Sequence, residues 1–86
     1  MRIISRKIVR EFSQRYPDAK KPLDAWYADT KRSNWRSPTD IKEVYKNASI
    51  VANNRVVFNI KDNDYRLVAA INYQFSILYI RFIGTH

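Results

Sequence analysis

The chain has 86 residues, 45% of them hydrophobic and none a cysteine, which bounds it to one domain, residues 1–86, held by its own core without disulfides or thiolate metal ligands. A net charge of +8, from 16 Lys/Arg against 8 Asp/Glu, favours a polyanionic partner, nucleic acid or an acidic protein, although a well-solvated basic surface gives the same balance. No apolar run reaches the roughly 20 residues of a membrane span and no signal-type segment opens the chain, so a cytoplasmic protein with no membrane contact is expected.

Arg2-Ile3-Ile4 can start a strand. Ser5 reads as an N-cap, and Ile8, Val9, Phe12 and Tyr16 then form one apolar stripe of a helix that Pro17 stops. Arg6, Lys7, Arg10 and Arg15, with Glu11 among them, make the opposite face, either a solvated surface or one that tracks phosphates. Pro22 suits a first helical position, and Leu23, Trp26, Tyr27 and Thr30 repeat at helical spacing up to Ser33-Asn34. Lys31 and Arg32 fall where a helix carboxyl end welcomes cations. Trp26 and Tyr27 are better core residues than base-stackers. Ser37-Pro38-Thr39-Asp40 is a capping-box pattern with Pro at the first position, opening a short helix through Ile41, Val44 and Tyr45, with Trp35 as a staple.

Ile50 and Val51 begin a strand-rich half. Asn53-Asn54 is a turn, Arg55–Ile60 alternates with Val56, Phe58 and Ile60 inward, and Lys61-Asp62-Asn63-Asp64 turns the chain into two final strands, Tyr65–Tyr73 and Ile77–His86. Alternation places Arg66, Val68, Ala70 and Asn72 on one face and Tyr65, Leu67, Ala69 and Ile71 in the core. In the last strand Tyr79, Arg81, Ile83 and Thr85 share a face, opposed by Leu78, Ile80, Phe82 and Gly84. His86 then joins the arginines only if the strand bends or bulges at Gly84. The expected fold is α+β: a short N-terminal strand and two to three helices packed on one face of a mostly antiparallel sheet that ends in a three-strand meander. The other face stays open and carries Arg55, Arg66 and Arg81.

There is no glycine-rich phosphate loop and no cluster with metal-ligand spacing, and one histidine cannot supply a two-histidine acid and base pair, so no cofactor and no metal are expected. Arginines and tyrosines remain. Cleavage of RNA by its own 2′-hydroxyl needs that oxygen held in line, the charged phosphorane stabilised and protons moved. Arg66 and Arg81 on adjacent strands would clamp the phosphate, with Tyr79, His86 or Tyr65 as proton carrier, Tyr65 having the wrong parity. Spacing alone equally allows these arginines to pair with Asp62 or Asp64, or simply to cap an open sheet face.

The segments Asn53–Ile60, Tyr65–Val68, Ile71–Tyr73 and Tyr79-Ile80-Arg81-Phe82-Ile83-Gly84-Thr85-His86 closely resemble the HigB toxins of bacterial toxin-antitoxin pairs, within the RelE-like fold group. Ala25-Trp26-Tyr27, Trp35, Pro38 and Asp40-Ile41-Lys42 resemble that family's helical half. The resemblance implies an endoribonuclease, an mRNA interferase that cuts message on the ribosome and is held inactive in a hetero-oligomer with a cognate DNA-binding, HigA-like antitoxin. It places the cleavage residues on Arg66 and Arg81. His86, the one group with an ordinary pKa near neutrality, becomes the proton-exchange candidate, and Asn54, Arg55, Lys61 and Tyr79 become RNA-binding candidates. In the family the Gly-Thr-His segment usually runs on into a short tail with an acidic residue, a tyrosine and another acidic residue. The sequence ends at His86, so a form extended by such a tail is expected to cleave better. Two alternatives stand beside the toxin reading: a non-catalytic basic RNA- or protein-binding module, and a tail-truncated toxin that binds antitoxin but cleaves poorly. An antitoxin-like DNA binder fits least, since no helix-turn-helix pattern is visible.

Overall fold

A computed structural model describes residues 1–85, and the candidate His86 lies outside the described residues. Strand β1 (Arg2–Ile4) leads into helix α1 (Arg6–Arg15), a 3₁₀ turn over Pro17–Ala19, helix α2 (Lys20–Arg32) and helix α3 (Pro38–Val44). Strands β2 (Ser49–Val51), β3 (Arg55–Ile60), β4 (Tyr65–Asn72) and β5 (Ile77–Thr85) follow, and the five form one sheet in the order β1-β5-β4-β3-β2. Only β1 pairs in parallel, against β5, because the helical segment carries the chain back across the sheet before β2 begins. The Met1 amino group fixes that first strand, donating to the carbonyls of Lys31 and Ser33 at 2.8 and 2.9 Å at the end of α2.

The helices cover one face of the sheet, and alternation along β3 and β4 feeds the core between the layers. Val56, Phe58, Ile60, Leu67, Ala69 and Ile71 point to the helices and are buried, as are Leu23, Trp26 and Ile41 from above. Phe58 is the centre of this packing. Its ring meets Trp26 edge-on at 5.4 Å, Tyr45 edge-on at 5.3 Å and Trp35 in a stack at 5.9 Å. Trp26 and Trp35 are thus core residues.

Local details depart from expectation for identifiable reasons. Helix α2 begins at Lys20, before Pro22, because the 3₁₀ turn runs straight into it. Pro22 sits inside the first turn, where amides have no helical partner, so its missing N–H costs nothing. Ser5 precedes α1 in a left-handed conformation (φ 80°) and caps through its carbonyl, which accepts the Ile8 N–H at 3.0 Å, with no side-chain bond. The box at α3 does not close either. The Asp40 N–H is taken by the Ser37 carbonyl at 3.1 Å, the Ser37 hydroxyl makes no cap bond, and the Asp40 carboxylate accepts the Arg36 N–H at 2.9 Å. Ser49–Val51 pairs with β3, so the meander has four strands, its first too short to show a pattern.

The largest departure is in β5. Register runs Leu78 opposite Ile71 and Ile80 opposite Ala69, but Phe82, not Arg81, faces Val68. Arg81 is an extra residue, a β-bulge, and every position after it changes face. Phe82, expected in the core, turns outward and is 55% exposed, while Ile83, expected outside, is buried opposite Leu67. Gly84 moves to the open face. The bulge lies three residues before that glycine, where the bend was expected.

Candidate functional site on the open sheet face

The strands behind the core leave their other faces uncovered by helix, and the register places the outward side chains in rows. Tyr79, Ala70, Arg55 and Val51 form one row across β5, β4, β3 and β2. Phe82, Val68, Val57 and Ser49 form the next, and Gly84, Arg66 and Asn59 the third. On the far side of β5, Arg2 pairs with Ile77 and Ile4 with Tyr79, so β1 adds Arg2 to the same face. Four adjacent strands therefore each bring one arginine, within a width of roughly 15 Å at the usual spacing between strands. Small residues in β4, Val68 and Ala70, make a low floor between Tyr79 and Phe82 on one side and Arg55 and Val57 on the other.

Among the described residues no Asp or Glu falls on the outward positions of these strands, since the acidic side chains after residue 47 are Asp62 and Asp64 in the β3–β4 turn. The Arg81 guanidinium lies over the Tyr79 ring, 5.3 Å from its centroid, which keeps both on the open face even though Arg81 sits in the bulge. Arg66 is exposed, opposite Gly84 and one row from Phe82.

Of the residues singled out from the sequence, Arg55, Arg66, Tyr79 and Arg81 come together here. Asn54 closes the β2–β3 turn with a left-handed backbone (φ 58°), and its carbonyl takes the Ile71 N–H at 2.9 Å, extending the ladder beyond Arg55. Lys61 lies elsewhere. Its amine bonds Asp18 at 2.6 Å, and the Tyr65 hydroxyl donates to the other oxygen of the same carboxylate at 2.6 Å. Tyr65 is buried on the helix side, its ring against Phe12 and Tyr16 at 5.3 and 5.6 Å. The trio pins the β3–β4 turn to the 3₁₀ turn. Bonds from Lys61 and then Tyr65 hold the Asp18 carboxyl below its ordinary value, and Asp18 in turn raises Lys61 and Tyr65. At the opposite end of the helical layer, burial first and the Asp29 charge second push the Tyr45 phenol up to about 12.

Two residues of this face escape the sequence reading. Arg2 is invisible without the pairing partner of β1, although its strand was legible. Phe82 is hidden by the bulge, for which the sequence carries no glycine or other marker at Arg81. Chemically, the face offers positive charge, the exposed ring of Phe82 and the half-buried phenol of Tyr79, the equipment for holding an anionic chain whose bases need a stacking surface. Among the described residues no cluster of three or more His, Cys, Asp or Glu is placed to hold a metal.

Residues 19–86 match the family model of the HigB toxin, the RelE-like toxic component of a toxin-antitoxin system. The chain belongs to the HigB toxin family. The whole chain also aligns with the mRNA interferase toxin HigB of Escherichia coli K12, at 26% identity over 88 residues that cover 85% of that relative. It aligns equally with proteins named mRNA interferase HigB from Escherichia coli O157:H7 and Shigella flexneri. As a HigB toxin the chain has an antitoxin for a partner, and its matched region takes in α2 to β5, so every open-face position except those on β1 lies within the family's part of the molecule. No helix among the described residues is long and apolar enough to cross a membrane.

Proposed function

We propose that this HigB toxin is an mRNA interferase that cleaves message bound to the ribosome, and that the open sheet face is where the RNA lies. The observation that carries this is the set of arginines from adjacent strands on a face with no Asp or Glu among its described outward positions, in a chain whose relatives are named mRNA interferases. Arg66 and Arg81 contact the scissile phosphate. In the reaction the 2′-oxygen attacks phosphorus, its proton passes to a base, the bond to the 5′-oxygen breaks and that oxygen is protonated. Two guanidiniums on the non-bridging oxygens oppose the charge that builds up in between. Tyr79 and His86 are the groups for the proton steps, Tyr79 being held beneath Arg81. Arg55, in the row of Tyr79 but two strands away, and Asn54 beside it guide the strand of RNA away from the scissile phosphate. Lys61 acts at a distance, by fixing the β3–β4 turn through Asp18. A DNA-binding antitoxin of the HigA type silences the toxin in a hetero-oligomer.

The test is induction of the chain in bacteria followed by primer extension on an abundant message, and the same assay with purified protein with and without ribosomes. Discrete 5′ ends that need ribosomes, and that vanish when the cognate antitoxin is co-expressed, are the expected result. Growth arrest without new ends would refute cleavage and leave a binding module.

A further inference from the structure

Phe82 is an apolar ring that the backbone has turned away from the core. Burying such a side chain stabilises a fold, and the alternation of β5 would have placed it inward but for the bulge at Arg81. Its position is also prepared. The ring folds back over Gly84, where a Cβ would stand 2.4 and 2.7 Å from two of its carbons, so only glycine leaves room for it there. The tip of the ring lies against Gly84 and the residue remains 55% exposed.

Its neighbours define what suits the exposed ring. Arg81 precedes it, Arg66 stands opposite Gly84, and Val68 lies across from Phe82 itself. An apolar ring set among guanidiniums serves a partner that alternates flat π surfaces with anionic links, which is the chemistry of single-stranded nucleic acid. An apolar protein segment docked on the ring would bring the arginines no such charge.

We propose that Phe82 is a stacking platform for the nucleobase beside the cleaved phosphate, and that Gly84 sets the position of its ring. This rests on the RNA-cleaving reading above. The platform orients the nucleotide whose phosphate Arg66 and Arg81 hold, so it is a positioning residue for the in-line attack as well as a binding contact.

The experiment uses a 2′-O-methyl message, which cannot be cut, carrying the fluorescent base 2-aminopurine at successive positions, free or on ribosomes. Wild type is expected to quench the probe strongly at one position. Phe82→Tyr and Phe82→Trp keep a π face and are expected to retain quenching and to bind within about threefold of wild type. Phe82→Leu keeps bulk without the π face, and Gly84→Ala keeps the ring but displaces it. Both are expected to lose the quench and to weaken binding about tenfold, within the range set by stacking on one aromatic. Circular dichroism matching wild type shows that each variant is folded, as befits an exposed site. Binding and quenching by Phe82→Leu equal to wild type would overturn the platform while leaving the RNA reading intact. Loss of antitoxin affinity in Phe82→Leu with unchanged RNA binding would overturn it in favour of a protein contact. A wild-type protein that binds no message, free or ribosomal, would overturn both.

Discussion

Arg81 occupies the one position of β5 with no partner on β4, and that has a consequence for mutagenesis. Because it is the inserted residue, deleting it leaves Ile80 opposite Ala69 and Phe82 opposite Val68, and every other side chain keeps its face. The deletion is therefore expected to fold with a regular strand and to lose cleavage as fully as Arg81→Ala, by about 10²- to 10⁴-fold if the guanidinium stabilises the phosphorane. Thermal unfolding with primer-extension rates on the same preparations checks it, and a deletion that fails to fold would show the bulge to be structural. Asp18 is a second informative residue. Its folded pKa lies below the ordinary 3.8, so its contribution to stability is present above that value and is lost as pH falls through the lowered one. Lys61 and Tyr65 are raised from 10.5 and 10.0, so their share is lost only as alkaline pH passes those values. Asp18→Asn should melt below wild type at pH 7, with the gap narrowing as pH drops under 3.8. A gap of constant size at pH 3 and pH 7 would remove the ion pair as its cause.

Elements differ in how much of them the sequence betrays. Strands β3 and β4 were legible residue by residue, because each alternates cleanly and one side is wholly buried. The helices were legible by their stripes, and α1 and α3 start where Ser5 and Ser37-Pro38 mark them, but α2 starts at Lys20, two residues before Pro22, since a 3₁₀ turn runs straight into it. Strand β5 was legible up to Ile80 and inverted after it. A bulge adds one residue and, without a glycine to mark it, leaves no trace in composition, so Phe82 read as core and Ile83 as surface. The candidate site was legible in its charges, Arg55, Arg66 and Arg81, and hidden in Arg2 and Phe82, both of which depend on pairing. The core makes a prediction at this scale. Phe58, fully buried and touched by Trp26, Trp35 and Tyr45, joins three helical-side aromatics to the sheet. Phe58→Ala should cost about 3–5 kcal/mol in urea unfolding, whereas Phe82→Ala, with its ring outside, should cost under about 1 kcal/mol. Equal losses would contradict the assignment of the two rings.

The whole molecule carries its net +8 unevenly, with 12 Lys/Arg and 6 Asp/Glu in residues 1–46 and 4 against 2 after them, so most of the charge belongs to the helical side. Quantity of charge would point to the helices as the RNA surface. The sheet face has fewer cations but no Asp or Glu among its described outward positions and carries the rings of Tyr79 and Phe82, which favours it over the helices as the working face. With about four phosphate contacts there, log affinity for single-stranded RNA should fall against log salt with a slope near −3, and a flat dependence would point to an apolar protein contact instead. The most direct test removes the same charge from each face. Rates of message cleavage on ribosomes are compared for wild type, Arg66→Ala/Arg81→Ala and Arg10→Ala/Arg15→Ala, the second pair lying on exposed positions of α1. The account predicts that the sheet variant loses at least about a hundredfold and that the helix variant stays near wild type. Equal losses in both variants, or loss confined to the helix pair, would contradict it.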